Sequence, residues 1–516
     1  MKNFFNSHKI AICVTALALS VGSVLCAYSV SNHQRSSKAD NINNSYEKML
    51  PAIENVSKQC ALALANKTEP ELKLEVKDTV PIYNVTNNIV GYSVSYYKDN
   101  TPYGYASFDF TTDELVTDFV IHKDTDSMYD VLSNSFAESN NKVEVEDCTN
   151  KLYSTTGIEY AVSATEGKKD KEIFYYNATT YDGDDFDAML DYYENLYLDL
   201  YNNTEYTDNF YYHLTEEESQ EDYIVQGNIA DWFKKWLKKL FPSYFDGDDN
   251  FVEPTAYPNH SEVFKEVDKL VGEVSEPVML PQYSREKSLT SQKTIMTTTN
   301  RYACGLVALT SICNQEDILL NGNIQDTFNK LWDLTGTQYN IYETGTFYGN
   351  YTVECSGTSI YQMAQGMKKY GKEIGADINT ASKSTPSFTV FKNAVDNKLS
   401  SVLCYQIENE GGHGVSILGY AFGTVGKHTL DYLLAADGWY DDIPRYVLYN
   451  PALFQETTAI TYEITKKAEP TVEPTIEPTV EPTSAPDVEP TATPSTEPSE
   501  VPTVDPTVAP SEKPAA

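Results

Sequence analysis

The sequence predicts an α+β chain. Three observations carry this. Between residues 80 and 122, short apolar stretches are joined by turn residues in the manner of antiparallel strands. Between 303 and 369, apolar residues recur at helical spacing, and from 402 to 448 they form strand-like runs, so helices precede strands in the C-terminal part. After residue 466 the composition changes to a Pro/Thr/Glu repeat that has no aromatic residue and no means of building a core.

The chain has 516 residues and a formal net charge of -37, enough length for two or three domains. The acidity argues against nucleic-acid binding and against adhesion to anionic membranes. Residues 1–27 read as a targeting segment: Lys2 and Lys9 precede an apolar run from Ile10 to Ala27, and Leu25-Cys26-Ala27 allows signal-peptidase cleavage. An uncleaved anchor and a lipid-modified Cys26 are the alternatives. Export makes the protein secreted or cell-surface. It leaves cysteines 60, 148, 304, 313, 355 and 404, too few for a disulfide scaffold. Cys60 and Cys148 are candidates to pair, and Cys404, in the apolar run Val402-Leu403-Cys404-Tyr405, reads as core.

Residues 45–70 carry Tyr46, Met49, Leu50, Ile53 and Val56 at helical spacing. Strands are expected over Val80–Val85, Ile89–Tyr97, Tyr103–Phe110 and Leu115–His122, with turns at Asn87-Asn88 and Lys98-Asp99-Asn100. The clusters Asp182-Gly183-Asp184-Asp185 and Asp246-Gly247-Asp248-Asp249 lack the calcium-loop pattern and read as solvated loops. Residues 229–241 form an amphipathic pattern, with Trp232, Phe233, Trp236, Leu237, Leu240 and Phe241 on one stripe and four Lys on the other. Two partners fit it: a membrane surface, or an intramolecular contact that sets its Lys against acidic neighbours. Asn250–Glu286 is rich in loop residues and prolines and is where activation cleavage is expected.

The chemistry centres on Cys304. Apolar residues at 303, 307, 308 and 312 predict a helix with Cys304 in its first turn, where the helix dipole favours thiolate over thiol. Thiolate is the nucleophilic form. Cys313 lies about 13 Å further along the same helix and cannot bridge to it. Only His413 and His428 follow Cys304. His413 sits among glycines at the start of a strand pattern, whereas His428 reads as a solvated hairpin tip. The strand Tyr432–Ala436 ends in Asp437-Gly438-Trp439. Asp437 is placed to hold the His413 imidazole by one nitrogen and leave the other to Cys304, with Trp439 as a roof over that contact. Helices are also expected over Ile324–Leu334 and Ser359–Lys369, and the Gly/Thr/Tyr-rich segment Asn340–Val353 reads as a loop forming one cleft wall.

Cys304-Gly-x-x-Ala-Leu on a helix, Gly412-His413-x-Val415 before a Gly419-Tyr420 strand, Asp437-Gly438-Trp439 and a closing Arg445-Tyr446-Val447 strand together resemble the papain-like cysteine peptidases of bacteria, of the streptopain and bacteriocin-leader-processing types. The match spans roughly 286 to 465. The resemblance implies a two-lobe fold, a helical lobe plus an antiparallel β lobe. It implies Cys304 as nucleophile, His413 as base and Asp437 as the orienting residue, a polypeptide substrate, and no metal or cofactor. Gly104-Tyr105-x-x-Phe108 after a strand and turn is similar, more loosely, to the pro-region of streptopain-like peptidases, which implies a zymogen. Two positions depart from the family. Leu306 stands where Pro is common, and Thr298 stands where the oxyanion-hole Gln is usual, so Asn300 or Gln292 becomes the candidate donor.

The organisation read from the sequence is therefore a signal peptide (1–27), a helical plus β-rich pro-domain (28–225), an amphipathic helix and linker (226–285), a papain-like peptidase domain (286–465) and a disordered tail (466–516). In the tail a proline recurs every four residues from Pro470 to Pro514, as in an extended polyproline-like spacer suited to cell-wall or surface association. An inactive papain-like binding or adhesion protein, and another acyl-transfer enzyme on the same three residues, remain open alternatives.

Overall fold

The computed structural model describes residues 47–466, apart from 86, 112–114, 141, 155–158, 167–170, 177, 191–232, 235–236, 239–240, 249, 255–266, 268–270, 348–350, 408–410, 426–427 and 450–456. The targeting segment, the repeat tail, Trp232, Trp236 and Leu240 of the amphipathic stretch, and residues 255–266 and 268–270 of the expected cleavage region lie outside the described residues.

The chain is mixed α+β. A helix spans 47–68, and its buried face carries Met49, Ile53, Val56, Cys60 and Leu64. The strands are β1 (Glu75–Tyr83), β2 (Ile89–Lys98), β3 (Thr101–Asp109), β4 (Val116–Ile121), β5 (Leu152–Ser154), β6 (Tyr160–Glu166), β7 (Lys171–Tyr176), β8 (Thr179–Asp182), β9 (Glu273–Val274), β10 (Val278–Met279), β11 (Arg301–Tyr302), β12 (Ile341–Phe347), β13 (Tyr351–Ser356), β14 (Ala376–Ser384), β15 (Ser400–Ile407), β16 (Gly411–Val425), β17 (His428–Ala436), β18 (Arg445–Leu448) and β19 (Thr458–Lys466). Helices lie at Met128–Ser139, Gln292–Thr299, Cys304–Gln315, Ile324–Thr335, Ile360–Ile374 and Phe388–Asp396.

One 16-stranded sheet runs β14-β19-β15-β16-β17-β18-β4-β3-β2-β1-β5-β6-β7-β8, with β9 and β10 added on β16. The join between its halves is the antiparallel pair β18–β4, with Tyr446 opposite Phe119 and Val447 opposite Asp118. The Phe119 and Tyr446 rings stack there at 4.4 Å, and the Tyr432 hydroxyl donates to the Val116 carbonyl at 3.0 Å. The core crosses the same line. Val56, Leu64, Phe108 and Phe119 share one cluster with Ala421, Leu430, Tyr432 and Leu434. Burying several aromatic side chains, at roughly 25 cal/mol per Å² of apolar surface, is the main force holding the two halves together.

The expected strands of the N-terminal block fall within two residues of β2, β3 and β4, and β1 begins five residues before the expected Val80. Over its described residues the segment Asn340–Val353 is not a loop: 341–347 form β12 and 351–353 open β13, paired from Ile341 opposite Ser356 to Phe347 opposite Tyr351 with one register shift between Ile341 and Glu343. Its Thr, Tyr and Val residues favour strand, and that preference outweighs the glycine content. Cys60 and Cys148 are not bridged. Cys60 is wholly buried among the residues of the 47–68 helix, whereas Cys148 packs against a different cluster. Cys404 is core, as expected. Asp246 closes a surface turn by accepting from the backbone N–H groups of Asp248 and Asn250. The 182–185 cluster is not a loop: Asp182 ends β8 and accepts from the N–H of Asp185 in the first turn of a helix over 183–190, the place where an Asp side chain caps free N–H groups. From the amphipathic stretch, Phe233 and Leu237 are fully buried, with Phe233 edge-on to Phe110.

Candidate active site

Cys304 is the first residue of the Cys304–Gln315 helix, and no side chain caps that helix at Ala303. Its amide end is thus left for the sulfur. The approach is set by the preceding Gln292–Thr299 helix, capped by Ser291 and closed by Asn300 in the left-handed region (φ 56, ψ 31). Asn tolerates that conformation better than most residues. Two residues of β11 then pair with β13, Tyr302 opposite Cys355, and lead the chain into Cys304.

β16 carries His413 directly opposite Tyr405 of β15. Glycines let β16 lie against the Cys304 helix: a Cβ on Gly414 would stand 3.1 Å from Gly305 Cα, and a Cβ on Gly305 would meet Met363 Sδ at 2.9 Å. Burial pushes the Cys304 thiol up. The charge and hydrogen-bonding contact of His413, with the backbone N–H groups of Gly414 and Gly305, outweigh it and hold the thiol below its ordinary value. Burial pulls His413 down, but the charges of Glu159, Cys304 and Asp437 prevail and raise it to about 9. Each partner's charge therefore favours the other's ionised form, thiolate and imidazolium over thiol and imidazole.

The carboxylate against the imidazole is not the expected one. His413 Nε2 stands 3.3 Å from Glu159 Oε1, with both side chains only 1% exposed. The Tyr405 hydroxyl donates to the same oxygen. Asp437, which follows β17, contributes its charge to His413 but gives its Oδ2 to Arg445, at 2.6 Å from Nε and 2.6 Å from Nη2. Arg445 reaches across the β18–β4 join with Nη1, 2.7 Å from Asp118 Oδ2. Tyr160 and Tyr105 donate to the two Asp118 oxygens. A fully buried guanidinium needs such partners, and the two flanking carboxylates supply them. They occupy Asp437 with Arg445 in place of His413.

The remaining expected residues also find places. Trp439 donates its backbone N–H to Asp437 Oδ1 at 3.1 Å, and its ring meets Tyr175 edge-on at 6.2 Å, so it packs towards the N-terminal half and not as a roof over a His413–Asp437 bond. Asn300 is exposed and serves the helix end, its N–H bonding to the Met296 carbonyl. Thr298 bonds back to the Thr294 carbonyl of its own helix. Gln292 is 1% exposed, its N–H bonds the Gly438 carbonyl at 2.8 Å, and neither atom of its side-chain amide has a hydrogen-bond partner among the described residues. Of the two oxyanion candidates, Gln292 is the one with a buried amide free to donate.

Glu159, Tyr405, Asp118 and Arg445 were not legible as site residues. Glu159 and Asp118 lie far from Cys304 in sequence, and nothing in their local pattern marks them. Arg445, a charged residue opening an apolar strand run, was the one available signal. No protein-family model matches this chain, and no curated protein matches it.

Proposed function

We propose that the chain is an exported cysteine peptidase made as a zymogen, with a papain-like arrangement of a helical lobe beside a β lobe. The observation that carries this is the Cys304–His413 pair: a thiol held below its usual pKa at an uncapped helix start, beside an imidazole raised to about 9. In the proposed reaction the Cys304 thiolate attacks a peptide carbonyl carbon. The Cys304 backbone N–H and the Gln292 amide stabilise the oxyanion. The C–N bond breaks as His413 gives its proton to the leaving amine. Water then attacks the thioester carbon as His413 accepts its proton, the C–S bond breaks, the acid is released and the Cys304 thiolate is returned beside the His413 imidazolium. The substrate is polypeptide. Export through residues 1–27 and a surface-spacer role for the tail belong to the same proposal and rest on composition.

The test is hydrolysis of labelled casein by the purified full chain under reducing conditions, with its size followed on a gel. The expected result is cutting of casein together with self-trimming between 250 and 286, both stopped by prior alkylation of Cys304. A chain that stays full length and leaves casein intact, even after an added protease has nicked it in that interval, would refute the proposal.

A further inference from the structure

His413 is 1% exposed, and the side chain lying against its Nε2 comes from the other side of the expected cleavage region. A working peptidase must admit a peptide and then a water molecule to this imidazole. With Glu159 in place the imidazole side chain is only 1% exposed. Three observations mark Glu159 as a built contact. Its carboxylate is as buried as the imidazole it meets. The Tyr405 hydroxyl, on the strand residue directly opposite His413, grips the same oxygen. The Glu159 charge also helps to push up the phenol of Tyr302, two residues before Cys304. The segment that bears it is fastened separately: Asp118 of β4 is bound through Arg445 across the β18–β4 join, and Tyr160, the residue after Glu159, donates to Asp118 at 2.6 Å.

We propose that Glu159 is a latch: its carboxylate pairs with the His413 imidazolium and closes the site, while the Asp118–Arg445 ion pair anchors the N-terminal half so that the latch stays in register. The inference rests on the peptidase reading above and names how that activity is held off. Thiolate formation does not require release of the latch; turnover does. The thiolate is supported by His413 and by backbone N–H groups, all of which stay in place while Glu159 is docked. The leaving amine, in contrast, must reach an imidazole that is only 1% exposed while Glu159 is docked. Cleavage between 250 and 286 frees the N-terminal half to leave, and Glu159 goes with it.

The test compares intact full-length wild type, intact Glu159→Gln and the self-trimmed form of each, with a labelled peptide as substrate and gel analysis to confirm that the intact samples remain uncut. The expected result is that intact Glu159→Gln hydrolyses the peptide at least about tenfold faster than intact wild type, while the two trimmed proteins are equal. Intact Tyr405→Phe, which removes the hydroxyl gripping the carboxylate, is expected to move the same way by a smaller factor. It serves as the second variant if Glu159→Gln folds poorly. The latch is overturned if intact Glu159→Gln and intact Tyr405→Phe are no faster than wild type while trimmed wild type is active. It is overturned as well if Glu159→Gln slows the trimmed enzyme, which would make Glu159 a positioning residue. If trimmed wild type is itself inert, the peptidase reading fails and the latch with it.

Discussion

Replacing Cys304 by alanine is expected to reduce peptide hydrolysis by at least about 10⁴-fold, and His413→Ala, alone or combined with it, is expected to reach the same floor. The reason is that thiolate and imidazolium act as one unit. The charge of His413 is part of what lowers the thiol, and the thiolate is part of what raises the imidazole. Removing His413 leaves the thiol with only backbone N–H groups to offset its burial, and removing Cys304 takes away the nucleophile that the imidazole serves. Steady-state rates of the two single variants and the double variant give the answer. Losses that multiplied in the double variant would mean that the residues act independently, contrary to the contact between them.

The largest effect on stability is expected at Arg445. Arg445→Met should cost about 3–5 kcal/mol, read as a fall in the urea midpoint at unchanged slope. The guanidinium is wholly buried between Asp118 and Asp437, with Tyr105 against it as well. Deleting it strands two carboxylates in the core and loosens the β18–β4 join, where Val447 pairs with Asp118. Adding Asp118→Asn to Arg445→Met should restore part of the loss, because one of the stranded charges is then gone. A cost under about 1 kcal/mol for the single variant would mean that the network is not holding the halves together.

How much of this was legible in the sequence follows from what each signal encodes. Helices whose ends are chemically marked were read well. Ser359 caps Ile360–Ile374 with a reciprocal bond to Gln362, and Asn323 caps Ile324–Thr335. Cys304 at a helix start and His413 on a strand follow from local pattern and from the glycines that allow close approach. The hairpin β12–β13 was missed because glycine and threonine content was weighed above the alternation of its β-branched and aromatic residues. Partner choice was not legible at all. Periodicity says which face of a strand is buried, not which carboxylate from another segment will meet it. Asp437 and Glu159 were both available to His413, and burying Arg445 drew Asp437 away. Asn300 and Gln292 were equal on sequence; the left-handed turn took Asn300 and burial left Gln292.

The most direct measurement is the alkylation rate of each cysteine in the native chain against pH, mapped by mass spectrometry after brief exposure to iodoacetamide. Burial pushes Cys60, Cys313 and Cys404 upward, so they are expected to stay unmodified. Cys304 should react while the medium is still well below the ordinary thiol range of about 8.5. Its rate should fall on acidification, as the depressed thiol pKa is crossed and thiolate is lost. A second inflection near 9 should appear as His413 discharges. In His413→Ala the Cys304 rate should shift back to an ordinary thiol profile. If Cys304 titrates like a free thiol in the wild type, or if His413→Ala leaves its profile unchanged, the thiolate–imidazolium pair does not exist and the account fails at its centre.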